Sequence, residues 1–180
     1  MKKKCLSISL VIIMLVVGLF TFVGCGDKKK DENKEASKSY TTITVKEYGD
    51  GDREATFDNS KEIFKINEEY ADATAATVLV SDKLGVQLNM YITDTVKQEI
   101  EQIEHDKIQE YTWNGFKGYA FDNYAGSIRF IIILEDNGDK LIVVRGDIRT
   151  ISATDTEIDV KAIMDSNEIQ EILNSIKYSK

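Results

Sequence analysis

The sequence predicts an α+β fold in which an antiparallel β-sheet is covered by two amphipathic helices. Short segments rich in β-branched residues alternate apolar and polar side chains, and turn signals separate them. Two stretches, after Thr95 and after Ser166, instead place apolar residues at helical spacing. Strands joined by tight turns pair antiparallel, and amphipathic helices need an apolar sheet face to cover.

The first half of the folded region is predicted to be β-structure. The predicted strands are residues 40–46, 55–57, 62–66, 76–81 and 84–92. In the last of these strands the apolar residues share one face, whereas Gln87, Asn89 and Thr93 fall on the other. One side of this strand is therefore expected to be core, and the other side wet or partly covered.

A helix is predicted to begin at Thr95. Thr95 and Gln98 have the spacing of a capping box, in which each side chain bonds the backbone N–H of the other residue. Val96, Ile100 and Ile103 then recur at helical spacing, which predicts an amphipathic helix of about four turns.

Two hairpins and a final helix are predicted to follow. Asn114-Gly115 favours a tight hairpin turn because both residues tolerate positive φ. Residues 127–134 and 140–148 are apolar on both faces, which is typical of central strands joined by the turn at 136–139. Ser166 is placed to cap a last helix. Its apolar stripe is Ile169, Ile172, Leu173 and Ile176.

The N-terminus has the pattern of an export signal. A lysine-rich start at residues 1–4 precedes an apolar run at residues 6–23. Val23-Gly24-Cys25 resembles the lipobox of bacterial lipoproteins, in which the cysteine is lipidated before cleavage makes it the first residue; Phe22 departs from that motif. The resemblance implies an extracytoplasmic protein anchored to the cell membrane by lipid on Cys25. An uncleaved transmembrane anchor and a freely secreted product are the alternatives.

The predicted organisation is a signal peptide at residues 1–24, a lipidated cysteine with a flexible charged tether at 25–39, and one α+β domain at 40–180. The tether has almost no apolar residues with which to fold.

The formal net charge of −8 argues against a nucleic-acid partner. The chain has two cysteines, Cys5 in the signal peptide and Cys25, so the domain is expected to hold neither a disulfide nor a thiolate site.

The domain resembles the PsbP-like family, named after an extrinsic subunit of plant photosystem II. The resemblance rests on the order of elements, on Trp113-Asn114-Gly115 and Gly118-Tyr119 after a helix, and on the isoleucine-rich strand at residues 130–133. Prolines that family members often carry near the first strands are missing. The resemblance implies a sheet-and-helix sandwich that acts as an adaptor or assembly factor by binding other proteins.

No catalytic residue is predicted. His105 is the one histidine of the chain, and Glu104 and Asp106 flank it on what is expected to be the outer face of a helix. Motifs for a serine nucleophile, a phosphate-binding loop or a zinc protease do not occur.

No metal site or cofactor is predicted either. Asp50, Asp52 and Glu54 have the opening spacing of a calcium loop, but Ala55 and Lys61 stand where glycine and glutamate belong. The acidic turn at residues 136–139 is explained by a hairpin.

The most aromatic stretch, residues 111–124, is the candidate binding surface. Phe116, Tyr119 and Phe121 are expected to be core, whereas Trp113 and Tyr124 are the candidates for contact with a partner, with Trp113 at the rim of the surface. The predicted function is therefore a membrane-anchored extracytoplasmic binding or adaptor module. An extracytoplasmic enzyme with an unrecognised carboxylate or metal site is the alternative.

Overall fold

Five stretches of the chain are described by the computed structural model, residues 40–49, 51–68, 76–123, 126–151 and 159–179. The predicted signal peptide and tether lie outside them. Within these stretches no helix has both the length and the apolar character needed to cross a bilayer.

The described residues are mostly β-structure. The strands are β1 (Thr42–Lys46), β2 (Glu54–Asp58), β3 (Lys65–Ile66), β4 (Thr77–Ser81), β5 (Val86–Val96), β6 (Ile108–Trp113), β7 (Phe116–Asp122), β8 (Ile128–Asn137), β9 (Lys140–Thr150) and β10 (Lys177–Ser179). The helices are α1 (Lys97–Glu101), α2 (Val160–Met164) and α3 (Asn167–Asn174), and a 3-10 turn spans His105–Lys107. This composition confirms an α+β fold dominated by its strands.

The strands form two antiparallel sheets. The small sheet has the order β1-β2-β10, and the large sheet has the order β3-β4-β5-β9-β8-β7-β6. The two longest strands, β5 and β9, pair along their whole length at the middle of the large sheet. A parallel bridge between Glu47 and Ile92 joins the end of β1 to β5.

One face of the large sheet, here called the helix face, carries the main core. Its side chains pack with the buried residues of α2, α3 and the small sheet in one continuous cluster. Leu88, Phe130 and Val144 lie on this face of β5, β8 and β9, and all three are fully buried. The amphipathic strands predicted from sequence therefore do bury one side.

The opposite face, here called the tyrosine face, carries Tyr91 on β5 and Tyr119 on β7. Of the described helices, only α1 adds a buried residue to it, Ile100, which belongs to a small cluster with Ile131 and Val143. The tyrosine face thus has its own small apolar patch but lies on the other side of the sheet from α2 and α3.

The prediction of a four-turn helix starting at Thr95 is wrong. Strand β5 continues to Val96 because its last two residues still pair with β9, so α1 is a five-residue helix. The hydroxyl of Thr95 donates to Glu99 Oε2 at 2.7 Å, and no side chain caps α1. Long-range strand pairing outweighs local helical spacing here, and the sheet is not covered by two long amphipathic helices.

Both predicted hairpins are confirmed. Asn114 and Gly115 adopt φ values of 49° and 85° between β6 and β7, as a tight turn requires. Gly138, with φ of 81°, closes the hairpin of β8 and β9. Pairing through these turns places β8 and β9 inside the sheet. The prediction of two apolar faces holds for the first half of β9, but further along the strand its tyrosine face carries Arg145, Asp147 and Arg149.

The last predicted helix is also confirmed. Ser166 Oγ accepts a hydrogen bond from Ile169 N at 3.4 Å at the start of α3. Ile169 and Leu173 are fully buried in the main core, and Ile176, just after the helix, is buried with them. The C-terminal helix therefore buries its predicted apolar stripe in the main core.

Candidate functional site

The tyrosine face is built by the alternation of side chains along β5 and β9. In the antiparallel register Gln87 lies opposite Arg149, Asn89 opposite Asp147, and Tyr91 opposite Arg145. Neighbouring strands are about 4.8 Å apart, and residues two apart on one strand are about 7 Å apart. A polar and aromatic strip therefore runs along the middle of the sheet.

A pocket of about 460 Å³ lies over this strip. Its volume falls within the range of about 300 to 1,000 Å³ that is typical of small-molecule sites. The lining residues are Tyr48, Ala76, Val78, Gln87, Asn89, Tyr91, Thr93, Asp147 and Arg149. The pocket thus combines two aromatic rings, two amides and a guanidinium with an apolar edge.

Two tyrosines form the aromatic end of the pocket. The backbone N of Tyr48 donates to Ile92 O at 2.8 Å, which fixes the segment after β1 against β5. The rings of Tyr48 and Tyr91 lie 5.9 Å apart with a tilt of 55°. Tyr48 is 62% exposed, so its ring forms a rim that a bound molecule can contact.

Two amides line the floor of the pocket. Gln87 Nε2 donates to Asn89 Oδ1 at 2.8 Å, which orients both side chains along β5. This bond uses one donor of Gln87 and the acceptor oxygen of Asn89. Within the described part of the chain, the Gln87 oxygen and the Asn89 nitrogen have no other side-chain partner, so they can bond a ligand.

The acid of the pocket is already neutralised. Arg129 donates to Asp147 from Nε at 2.9 Å and from Nη2 at 3.2 Å, and Asn123 Nδ2 donates to the same carboxylate at 2.9 Å. Both Arg129 and Asp147 are about one-fifth exposed, so this bidentate pair is partly shielded from water.

Two arginines on the same face have no such acid. Among the described residues, neither Arg145 nor Arg149 forms an ion pair, although the chain as a whole is acidic. The Nε of Arg145 is buried without a hydrogen-bond partner. The pocket region is therefore locally cationic.

The prediction that Trp113 lies at the rim of a binding surface is wrong. Trp113 is fully buried on the helix face, where its indole stacks on Tyr111 at 4.8 Å and meets Phe130 edge-on at 6.2 Å. Its Nε1 donates to Gln170 Oε1 at 2.9 Å. Tyr124, the second predicted contact residue, lies outside the described residues.

The other aromatic residues of this stretch divide between the two faces. Phe116 packs against the main core, whereas Tyr119 and Phe121 pack, partly buried, against the small cluster of the tyrosine face. The strand alternation that groups Tyr119 with Phe121 is confirmed, but their face is the one opposite α3.

The acidic turn at residues 136–139, considered as a metal site, forms a hairpin turn and an ion pair. Asp136 Oδ1 accepts from Gly138 N at 3.2 Å, and its Oδ2 accepts from Lys97 Nζ at 3.0 Å, as a turn and a surface ion pair require. Over the described ranges, no group of three or more histidine, cysteine, aspartate or glutamate side chains is placed to hold a metal ion. Asp50 lies outside these ranges.

A second pocket, of about 320 Å³, lies at the β6 edge of the large sheet. Tyr111 lines it and donates to Asp165 Oδ1 at 2.6 Å, and burial together with this bond raises the pKa of the Tyr111 phenol. Lys107 and Lys161 stand there beside Asp106 and Asp122, so positive and negative charges balance. This pocket offers less chemical selectivity than the one on the tyrosine face.

Sequence reasoning missed Tyr48, Tyr91 and Arg149 as site residues. The available signal was the polar alternation of Gln87, Asn89 and Thr93 opposite the apolar face of the same strand, together with Arg145, Asp147 and Arg149 at alternate positions on another strand. The pairing of β5 with β9 makes these two rows of polar side chains neighbours. That pairing joins residues distant in sequence, so it could not be predicted from either segment alone.

No protein-family model, curated protein or solved structure matches this chain. The assignment of a role therefore depends on the chemistry of the pocket and on the N-terminal sequence.

Proposed function

We propose that this chain is an extracytoplasmic lipoprotein, held at the cell membrane by lipid on Cys25, whose domain acts by binding a ligand and not by catalysis. The N-terminal sequence supports the anchor, because a lysine-rich start and an apolar run lead to Val23-Gly24-Cys25. The charged tether at residues 26–39 would give the domain a reach on the order of 20 Å from the membrane.

The observation that carries the binding role is the pocket on the tyrosine face. Its volume of about 460 Å³ suits a small molecule or the side chains of a peptide. Tyr48 and Tyr91 provide aromatic surface, and Gln87, Asn89 and Arg149 provide polar groups that fix orientation. Such a mixture of aromatic, amide and guanidinium groups favours binding.

We also propose that the domain is PsbP-like. The antiparallel sheet, the hairpin around Asn114-Gly115 and the closing helix α3 support this assignment. The family resemblance also implies an adaptor or assembly role, and the lipid on Cys25 would place that role at the membrane. An adaptor of this kind would present its tyrosine face to its ligand.

Site-specific photo-crosslinking in living cells tests the proposal. A photoreactive phenylalanine analogue is placed at Tyr48, on the pocket rim, or at the control position Glu171, which is exposed on α3. We expect a defined crosslinked species from Tyr48 and none from Glu171. Equal yields from both positions, or none from either, would contradict a binding site on the tyrosine face.

The same experiment with Cys25→Ala separates binding from anchoring. If the ligand resides at the membrane, the yield of the Tyr48 crosslink falls when the lipid is removed. A yield that does not change with Cys25→Ala places the ligand in free solution and leaves the binding site itself intact.

A further inference from the structure

We infer that the ligand of the tyrosine-face pocket is a small molecule with an oxyanion, a carboxylate or a phosphate, and a ring. Arg149 would hold the oxyanion, Tyr48 and Tyr91 would pack on the ring, and Arg145 would add positive charge beside Tyr91. This inference rests on the proposed binding function and adds the chemical class of the ligand.

Arg149 is the direct candidate for the anion contact. It is exposed, it lines the pocket, and its cross-strand neighbour is the neutral Gln87. The nearest acid on the same strand face, Asp147, is already bonded by Arg129 and Asn123. A guanidinium binds a carboxylate or phosphate through two parallel hydrogen bonds, and Arg149 is free within the described residues to do so.

Arg145 points to the same ligand class. Its Nε is buried without a partner, a state that costs free energy because the donor has lost water without gaining an acceptor. The cross-strand neighbours of Arg145 are Tyr91 and Ile131, neither of which carries a charge. Arg145 does not line the pocket and its Nε is inaccessible, so it contributes positive charge beside Tyr91 and no direct contact with the ligand.

The electrostatic background strengthens this preference. The chain has a formal net charge of −8, so its overall field disfavours anions and binding of an anion requires a local cationic site. Among the described residues that line the pocket, Asp147 is neutralised by Arg129, so Arg149 carries the uncompensated charge. A cationic, partly enclosed pocket on an acidic protein selects anions over neutral or cationic molecules.

The geometry also sets the size of the ligand. Arg149 and Arg145 are four residues apart on β9, about 13 Å along the strand. Tyr91 lies opposite Arg145, Gln87 lies opposite Arg149, and Asn89 lies between them. The ring therefore lies at the tyrosine end of the pocket, and the long Arg149 side chain extends along the strip towards the oxyanion that the ring carries.

The test uses the full acylated chain in neutral detergent, labelled with ¹⁵N, and two probes of nearly equal shape. Benzoate has the ring and the carboxylate, whereas benzamide has the ring without the charge. Amide chemical shifts of β5 and β9 are followed during each titration. The variants are Arg149→Gln, Arg145→Gln and, as a matched control, Lys117→Gln, a cation on the same face but on β7.

We expect benzoate to shift the amides around Asn89, Tyr91 and Arg149, and benzamide to bind at least 10-fold more weakly. Arg149→Gln should weaken benzoate binding about 10-fold, because a charged hydrogen bond of typical strength is lost. Arg145→Gln should weaken it less than Arg149→Gln does, because it removes a nearby charge and no direct contact, and Lys117→Gln should leave it unchanged. Inorganic phosphate should shift the same amides and compete with benzoate.

Three results would overturn the inference: equal binding of benzamide, unchanged benzoate binding by Arg149→Gln, or no shift on β5 and β9 with any probe. In each case a crosslink from Tyr48 would still support the proposed binding function. The inference about the ligand class and the proposed binding function can therefore fail separately.

Discussion

Trp113 ties the edge of the large sheet to the C-terminal helix. Its ring lies over Gly118, where an added Cβ would be 2.2 Å from Trp113 Cζ3, so the glycine makes room for the indole. The indole N–H donates to Gln170, whose own Nε2 donates to Met164 O at 2.8 Å. One buried side chain thus connects β6 with α3 and the end of α2.

Replacing this side chain tests its role in the core. We expect Trp113→Ala to lower the free energy of unfolding by about 3–5 kcal/mol, because the residue is fully buried and the cavity is large. Urea denaturation followed by circular dichroism measures the change. Tyr48→Ala, at a 62% exposed position, is the control and should change stability by less than about 0.5 kcal/mol. A Trp113→Ala protein as stable as the Tyr48→Ala control would mean that the indole is not packed.

The position of Trp113 shows what residue-level reasoning can and cannot predict. The turn after it was predictable, because Asn-Gly has a specific backbone preference. Its burial was not, because a tryptophan in a hairpin strand suits either face until the partner of that face is known. The partner here is α3, more than 50 residues later in the sequence.

Helices α1 and α3 differ in how they begin, although the sequence predicted a cap for each. Ser166 caps α3 with a hydrogen bond to Ile169 N, whereas Gln98 has no capping role because Thr95 is part of β5. Strand pairing decides where α1 begins, and local side-chain chemistry decides where α3 begins. Helical spacing of apolar residues is therefore a poor predictor of helix in segments that can also form a strand.

Substitution at the two predicted caps should separate them. We expect Ser166→Ala to cost about 1 kcal/mol of stability, the usual value for loss of a serine N-cap. Gln98→Ala should change stability by less than about 0.5 kcal/mol, because no capping bond is lost. Chemical denaturation of both variants provides the comparison. A cost for Gln98→Ala that equals the cost for Ser166→Ala would restore the capping box.

Strand β10 should make stability sensitive to alkaline pH. Tyr178 donates to Glu135 Oε1, and burial together with this bond raises the pKa of Tyr178 to about 12, against a small lowering effect of Arg53. An unfolded tyrosine titrates near pH 10. The folded state therefore holds the proton more tightly, and the contribution of Tyr178 is complete below about pH 10 and is lost as pH rises towards 12.

Tyr178→Phe tests this dependence, because phenylalanine keeps the ring and removes the titrating group. Over pH 10 to 12 the wild-type chain should lose more stability than the variant, while other tyrosines and lysines titrate in both proteins. Urea unfolding at several pH values measures the difference between the two curves. Curves that stay parallel from pH 8 to 12 would show that Tyr178 has the same pKa in both states.

At the scale of the whole molecule, the sequence predicted a mostly antiparallel α+β domain but not its site. Turn signals and strand alternation are local features of the sequence. They were sufficient to predict the two hairpins and the burial of one face of the strands. The site needs Tyr48, Tyr91 and Arg149, which come from three segments brought together by the β5–β9 register and by the bridge from Glu47 to Ile92. No local pattern contains that information.

We propose that lipid on Cys25 holds a ligand-binding domain at the outer side of the membrane. The intact mass, with N-terminal peptide sequencing, of the full-length gene product purified from bacterial membranes tests this anchor, beside Cys25→Ser. We expect a mature chain that begins at Cys25 and carries a diacylglyceryl group, and a Cys25→Ser chain without lipid. A wild-type chain that still begins at Met1, or that is cleaved and carries no lipid, would rule out a lipid anchor on Cys25.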